Sequence, residues 1–350
     1  MKQLDLLLPF ALPHPDLAAD LLKAMQAPAL AKLLARARPL ASESFDDYAR
    51  ALPHEHWIAR RFGLPHQAGR DDSPAAALPA LRQCGIDAAD GHWFLLHPVH
   101  IHVAHDHLVL TGIGDLGLTE IESRLLFEEA APLFAEAGLE LRYGDPHLWF
   151  LRADAWQDLH TATPAAAGGH NIDIWMPRGD GERAWRRVQN EVQMAWHAHA
   201  VNAARETDGR RTVNSLWLWG GAPAGRTLPP APYARAAGLA GWMALLGRTC
   251  PAFDAVADVD GMATAGGGAL LAAGDDLVEP AFAGDWGSWL AAWQQVEARL
   301  VAPALAALER GKIDHLRLVL THNTGLKEFS VTRMGLRKFW QSPSLRRLAP

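Results

Sequence analysis

The spacing of apolar positions separates strands from helices along most of this chain. Residues 4–10 form a short, largely apolar run cut by Pro9, which predicts a buried strand. Residues 16–25 and 29–38 read as helices, the second with Pro28 at its first turn. Residues 42–62 begin as polar turns and continue into a helix of Ala, Arg and Trp, and residues 68–79 read as a loop. Strands are predicted at 93–96, 99–103 and 108–110. Thr119 opens a helix to residue 137, with Glu122 at the spacing of a capping box. Residues 139–143 and 147–151 flank a Gly-Asp-Pro turn and predict a hairpin.

In the second half, residues 181–205 predict a long helix, and 213–219 a buried strand closed by Gly220 and Gly221. Residues 234–247 read as a helix, 255–259 and 269–271 as short strands, and 288–310 as a long amphipathic helix. A strand at 316–321 and an alternating stretch at 328–333 follow. Helices set between apolar strands predict an α/β fold with a mixed or parallel sheet. No internal repeat is present.

Composition narrows the class. A length of 350 residues fits one large domain or two. With 49% hydrophobic and 21% charged residues the chain is globular, not disordered. A net charge of -6 argues against a general nucleic-acid binder. Cys84 and Cys250 are too few for a disulfide framework, which points to a reducing compartment. The longest apolar stretch, 236–247, falls short of the ~18 residues a membrane span needs. Asp5 and Pro9 interrupt the start where an export signal would be apolar, so a cytoplasmic protein is expected.

The chain is rich in histidine and tryptophan, with 17 and 14 residues. His97, His100, His102, His105 and His107 crowd one region, and on a strand His100 and His102 share a face. They are the nearest approach to a chelating pair, but no third ligand is evident, so no metal site is assigned. His197 and His199 lie on a predicted helix at a spacing that does not chelate. Trp217 and Trp219 share a strand face, while Trp286, Trp289 and Trp293 follow helical spacing. Both sets fit core packing, with an aromatic wall for a sugar or base as the alternative.

Several segments resemble the archaeal-type cofactor-independent phosphoglycerate mutases of the alkaline phosphatase superfamily. Met25-Gln26-Ala27-Pro28-Ala29-Leu30 through Leu34 looks like that superfamily's "TPNLDRL" helix after the first strand. His199-Ala200-Val201-Asn202 through Arg205 is similar to its "HPVNxxR" stretch. Val213-Asn214-Ser215 through Gly221 resembles its "AN-x-LLLRG-x-G" strand and turn. Thr321-His322-Asn323 sits where the superfamily has an Asp-His metal pair. Across nearly its whole length the chain also resembles the proteobacterial RpfE-type regulatory proteins, through Pro98-Val99-His100 leading to Asp106-His107-Leu108-Val109-Leu110. The resemblance implies an alkaline-phosphatase-like three-layer sandwich with a mixed, mainly parallel sheet. Residues 1–90 and 207–350 would form the core, and 91–206 a smaller inserted α+β subdomain.

The departures from that pattern bear on function. Phosphoryl transfer in the superfamily uses two divalent metals held by Asp and His. Here Leu8-Pro9-Phe10 stands where the family has Asp-Gly, and Thr321 replaces an Asp, leaving His322. Asp254, Asp258 and Asp260 do not reproduce the family spacing, and no nucleophile is evident among Ser42, Ser44 and Ser73. The expectation is a non-catalytic or strongly diverged pseudoenzyme with a regulatory or ligand-binding role, no cofactor, and a small anion or a protein as partner. The alternative is an active mutase or phosphatase with a rebuilt manganese or zinc site that recruits the histidine strand, His322 and the Asp254–Asp260 group.

Candidate ligand-binding residues follow. Asn214, Gly220 and Gly221 are expected at the carboxyl end of a central strand, where open α/β sheets bind ligands. Asn202 and Arg205 share a helix side and are expected to face the interior or a cleft. His322, Asn323, Thr324 and Arg333 are expected to form a small polar pocket, with Arg333 following the inward face of the last strand. Lys327, Arg333, Arg337, Lys338, Arg346 and Arg347, interleaved with Phe329, Phe339 and Trp340, make the C-terminal segment basic. It suits an acidic partner or a phosphate-bearing ligand, or else a solvated face with its aromatics anchored in the core.

Overall fold

A computed structural model describes residues 2–65, 71–104, 107–169, 171–264, 267–338 and 340–349. His105, Asp106 and Phe339, and residues 68–70 of the expected loop, lie outside the described residues. In chain order the strands are β1 (Gln3–Leu8), β2 (Arg38–Ser44), β3 (His92–Val99), β4 (Ile101–Ala104), β5 (His107–Leu110), β6 (Glu140–Asp145) and β7 (Leu148–Arg152). They continue as β8 (Ser215–Pro223), β9 (Arg235–Ala237), β10 (Ala252–Asp254), β11 (Ala269–Ala273), β12 (His315–Thr321) and β13 (Gly325–Thr332). The chain divides into two compact units. The first holds Met1–Asp47, Pro53–Phe62 and Pro230–Pro350, the second Tyr48–Leu52 and Gly63–Pro229.

The first unit is built on a seven-stranded sheet of order β10-β9-β11-β1-β12-β13-β2. Only β13 runs against the others. Helices cover both sides, so this is an α/β unit with a mixed, mainly parallel sheet. Its central strand is continuous in burial from Leu4 to Leu8, as expected of a parallel strand covered on both faces. Asp5, fully buried within that run, accepts from Tyr233 Oη at 2.8 Å and from Arg61 Nη2 at 3.2 Å. The Pro28–Arg36 helix has no side-chain cap of its own. Its first amides, Ala29 and Leu30, donate instead to the buried Glu297, which sits in a π-turn (Glu297–Val301) between two α-helical stretches. A carboxylate there complements the positive end of the helix dipole.

The second unit carries an antiparallel sheet of order β6-β7-β3-β8. The Glu120–Glu136 and Glu182–His197 helices join it in one apolar core through Leu126, Phe134, Trp185 and Trp196. Thr119 and Glu122 form the expected capping box. A separate two-stranded arm pairs β4 with β5. Asn214 ties the arm down, because its side chain both donates to Ile101 O and accepts from Ile101 N at 2.8 Å, as a strand residue would.

Several elements differ from the sequence reading for identifiable reasons. The helix expected over 181–205 is two helices, Glu182–His197 and Ala200–Thr207. His199 caps the second through Val201 N–H, and Asn202 Nδ2 takes the Trp196 carbonyl that would have continued the first. Gly238 and Gly241, at φ 72° and 54°, break the helix expected at 234–247 into β9 and a short Met243–Gly247 turn. The expected strand at 255–259 gives way to β10 before it and a Val259–Thr264 helix after it. The polar turns expected near residue 42 contain the edge strand β2, whose exposed positions leave no apolar alternation to read. Besides Tyr48–Leu52, the second unit runs from Gly63 to Pro229 rather than over 91–206, so it takes in β8, expected in the core.

Candidate functional site

The carboxyl end of the first unit's sheet gathers the candidate chemistry. After β1 the chain passes through Pro9 to Phe10, the one described non-glycine residue with positive φ, at 55°. That conformation costs roughly 1–3 kcal/mol and persists only where neighbours enforce it. Here they do. Phe10 N–H donates to Thr321 Oγ1 at 3.3 Å, and Phe10 O accepts from Trp289 Nε1 at 2.8 Å. The ring is buried, 4.8 Å from Phe282 and 6.0 Å from His54 between centroids. Leu12 N–H adds a bond to Thr321 O at 2.9 Å.

Histidines surround this plug. His54, only 4% exposed, has a buried Nδ1 with no hydrogen-bond partner. Burial, with a smaller push from His56, lowers its pKa to about 3. His56 stacks on Phe45 at 5.4 Å, and Phe45 N–H donates to Thr324 O at 2.8 Å. His14 lies 5.8 Å from the Trp286 ring, and its Nδ1 is also without a hydrogen-bond partner. His322 Nδ1 accepts from Thr324 N–H at 3.2 Å, with Asn323 Oδ1 2.9 Å away. Burial is the main cause of its lowered pKa. Asn323 opposes the shift, while His14 and Lys327 add to it. A Cβ at residue 325 would fall 2.2 Å from His322 Nε2, so Gly325 is what allows the ring its position. His322, Asn323 and Thr324 lie together in the turn after β12, and His14, His54, His56 and Phe10 lie at the same end of the sheet. Nothing in the spacing of these four marks them as neighbours; only the strand ends do.

Arg333 does not join this group. β13 runs antiparallel to β12, pairing Thr332 with His315, so Arg333 lies at the amino end of β12 while His322 follows its carboxyl end. Seven residues of strand put them roughly 20 Å apart. Arg333 is exposed, with its guanidinium lying over Gly311. The inward alternation expected for it stops with the strand.

The other candidates belong to the second unit. Asn214 precedes β8 and Gly220 lies six residues on, so they do not share a strand end. Gly220 (φ 74°) and Gly221 sit where the β3–β8 register shifts, between the Trp93↔Ala222 and Leu95↔Trp219 pairs. Gly220 N–H donates to Ser73 Oγ at 2.9 Å, and a Cβ at 221 would strike Phe94 and His92. This is a β-bulge. Asn202 and Arg205 face the interior and are fully engaged. Asn202 bonds Trp196 O, Val213 O and Val213 N, each at 2.8 Å. Arg205 donates to Arg211 O (2.7 Å), Glu122 Oε2 (3.1 Å) and Leu116 O (2.5 Å). His100 and His102 stack at 5.8 Å, His100 Nδ1 lying 2.8 Å from Thr212 O. Trp217 and Trp219 are buried in the core and present no open wall.

A two-metal clamp does not fit the donors at the carboxyl end. Pro9 and Phe10 offer no side-chain ligand atom, and the Thr321 hydroxyl already accepts from Phe10. Asp254 lies on β10, four strands from β12 and about 19 Å away at ~4.8 Å per strand. Arg235 holds Asp254, Asp258 accepts from Gly261 N, and Lys312 faces Asp260. Among the described residues no group of three or more His, Cys, Asp or Glu side chains is placed to hold a metal ion.

Comparison with known proteins bears on the fold. No family model matches the chain, and no curated protein does. The chain is similar in structure to the PH0037 protein from Pyrococcus horikoshii. The identity is 12% and the TM-score 0.51, over 94% of this chain and 87% of that one. It also aligns with a cofactor-independent phosphoglycerate mutase from Thermoplasma acidophilum DSM 1728. There the identity is 14% and the TM-score 0.42, over 94% and 89% of the two chains.

Proposed function

We propose that this chain is a strongly diverged phosphoglycerate-mutase-like protein that binds a small anionic ligand in a regulatory role and does not transfer phosphoryl groups. The observation that carries this reading is Phe10, held at φ 55° with its ring against His54 and Phe282, where the family resemblance calls for an acidic ligand. The first-unit sheet, the loop of His322, Asn323 and Thr324, and the RpfE-type resemblance of the sequence support it. A cytoplasmic setting fits two free cysteines and the absence, among the described residues, of any helix long and apolar enough to cross a membrane.

The purified protein, assayed on phosphoglycerate and on phosphate monoesters with added manganese or zinc, is expected to show no turnover. Millimolar phosphate or phosphoglycerate is expected to raise its melting temperature, because a ligand that binds only the folded state stabilises it. His322→Ala should abolish that rise. Metal-dependent turnover that disappears in His322→Ala would overturn the proposal in favour of a phosphotransferase rebuilt on imidazoles.

A further inference from the structure

We propose that the surface where β13 ends and β2 begins, at the opposite end of the first unit's sheet from His322, docks an acidic polypeptide segment. Arg38 opens β2 and pairs with Ser330 of β13. β13 ends at Thr332, and Arg333, Met334, Arg337 and Lys338 follow in a tight turn pinned by Gly335 N–H on Thr332 Oγ1 at 3.1 Å. The turn packs on the end of the Pro28–Arg36 helix, with Arg36 O 3.7 Å from where a Gly335 Cβ would be. Arg38, Arg333, Arg337 and Lys338 therefore share one end of the sheet, and all are exposed.

What sets these four apart is that they cluster at one sheet end, exposed and, among the described residues, without a carboxylate partner. Elsewhere Arg60 pairs with Glu43, Lys32 with Glu309, Arg235 with Asp254, Arg299 with Asp276 and Lys312 with Asp260. Among the described residues of the unit, Arg38, Arg333, Arg337 and Lys338 have no ion-pair partner. Asp314, whose main-chain O accepts from Arg333 N–H at 3.3 Å, takes Lys2 N–H on its carboxylate at 2.9 Å. In a chain of net charge -6, a concentrated positive field is an unfilled complement. Met334 and Trp340, 76% and 68% exposed, supply apolar anchorage beside it.

The chemistry selects a short acidic chain with one or two apolar side chains. A long polyanion would reach beyond the patch into the protein's negative field, which extends over a Debye length of about 8–10 Å. Strand addition is not the mode. The β2 edge carries Pro39, and its register with β13 shifts between Glu328 and Phe329, both of which blunt an edge.

The test uses the full chain and a fluorescent peptide of about twelve residues, mostly Glu and Asp with one Leu and one Phe. Saturable binding is expected, weakening about tenfold or more between ~50 and ~300 mM salt. Replacing Arg333, Arg337 and Lys338 together by Glu is expected to weaken it at least about tenfold while leaving the melting temperature and its phosphate response unchanged. Met334→Ser should weaken it about threefold and alter the salt slope little. Absence of binding, equal binding by the triple variant, or tighter binding to single-stranded oligonucleotide or phosphatidylserine vesicles than to the peptide would overturn the proposal.

Discussion

Buried polar groups are treated in opposite ways in two regions of this molecule. Around Asn202 and Arg205 in the second unit, each side chain makes three hydrogen bonds to carbonyls, an amide or the Glu122 carboxylate. At the carboxyl end of the first unit's sheet, His54 and His14 keep a buried nitrogen without a hydrogen bond, that of His14 lying 3.9 Å from Asp16, and Phe10 holds a costly backbone conformation. The first arrangement is what a group retained for stability looks like. The second stores unfavourable free energy, and that is what motivates the proposal of a ligand site there. The resemblance to a mutase pointed at both regions equally; hydrogen-bond satisfaction separates them.

The largest expected effect tests the satisfied side. Arg205 is fully buried and neutralises Glu122, which also faces Arg210 at 2.9 Å. Arg205→Ala leaves Glu122 to Arg210 and Thr119 but unsatisfies the Arg211 and Leu116 carbonyls and empties a buried site, so a loss of about 3 kcal/mol is expected in denaturant titrations. A loss below ~1 kcal/mol would mean the network is dispensable and the contrast misplaced. Asn202→Ala comes next. It unsatisfies Trp196 O and the Val213 amide, and about 2 kcal/mol should be lost.

How much of this was legible beforehand depended on the range of the signal. The capping box at Thr119 and Glu122, the central strand and the β12 strand are local patterns, and the sequence carries them openly. So are the departures at Pro9, Phe10 and Thr321. Asn202 was recognisable as inward-facing from its helix position, but not as the residue that breaks the helix. The partners of Phe10 were not legible, since His54, Phe282 and Trp289 reach it only once the sheet has brought distant strand ends together. Arg333 was misplaced because alternation tells which face a residue takes, not which end of the sheet its strand delivers it to. The edge strand β2 was hidden because an exposed strand has no apolar period.

Acid should expose the unsatisfied side. His54 has a folded-state pKa of about 3, below the ordinary value of 6.5, because burial disfavours its cation. The unfolded chain therefore binds a proton between those values while the folded protein does not. The stability His54 contributes is complete above about pH 6.5 and is lost as pH falls toward 3. The slope is about 1.4 kcal/mol per pH unit for one proton. Equilibrium unfolding across that range should show it, and His54→Phe should remove one proton's worth of slope. An unchanged slope in the variant would show that His54 is not the group excluded from protonation.

The smallest effect is the sharpest test of the contrast. At neutral pH His54 contributes a buried Nδ1 with no partner and a ring beside Phe10. Replacing it with phenylalanine removes the unsatisfied nitrogen and keeps an aromatic ring of similar size. Exchanging an unsatisfied polar group for an apolar one of similar shape is near neutral or mildly stabilising. His54→Phe should thus change stability by less than ~1 kcal/mol in denaturant titration, in the stabilising direction. Asn202→Leu, an apolar exchange in the satisfied region, should cost about 2 kcal/mol because it leaves Val213 N–H and two carbonyls behind. If the two exchanges cost the same, the distinction between a structural network and a remodelled site fails. If His54→Phe also abolishes the melting-temperature rise in phosphate that His322→Ala removes, then His54 is part of the ligand site and its free nitrogen is kept for binding.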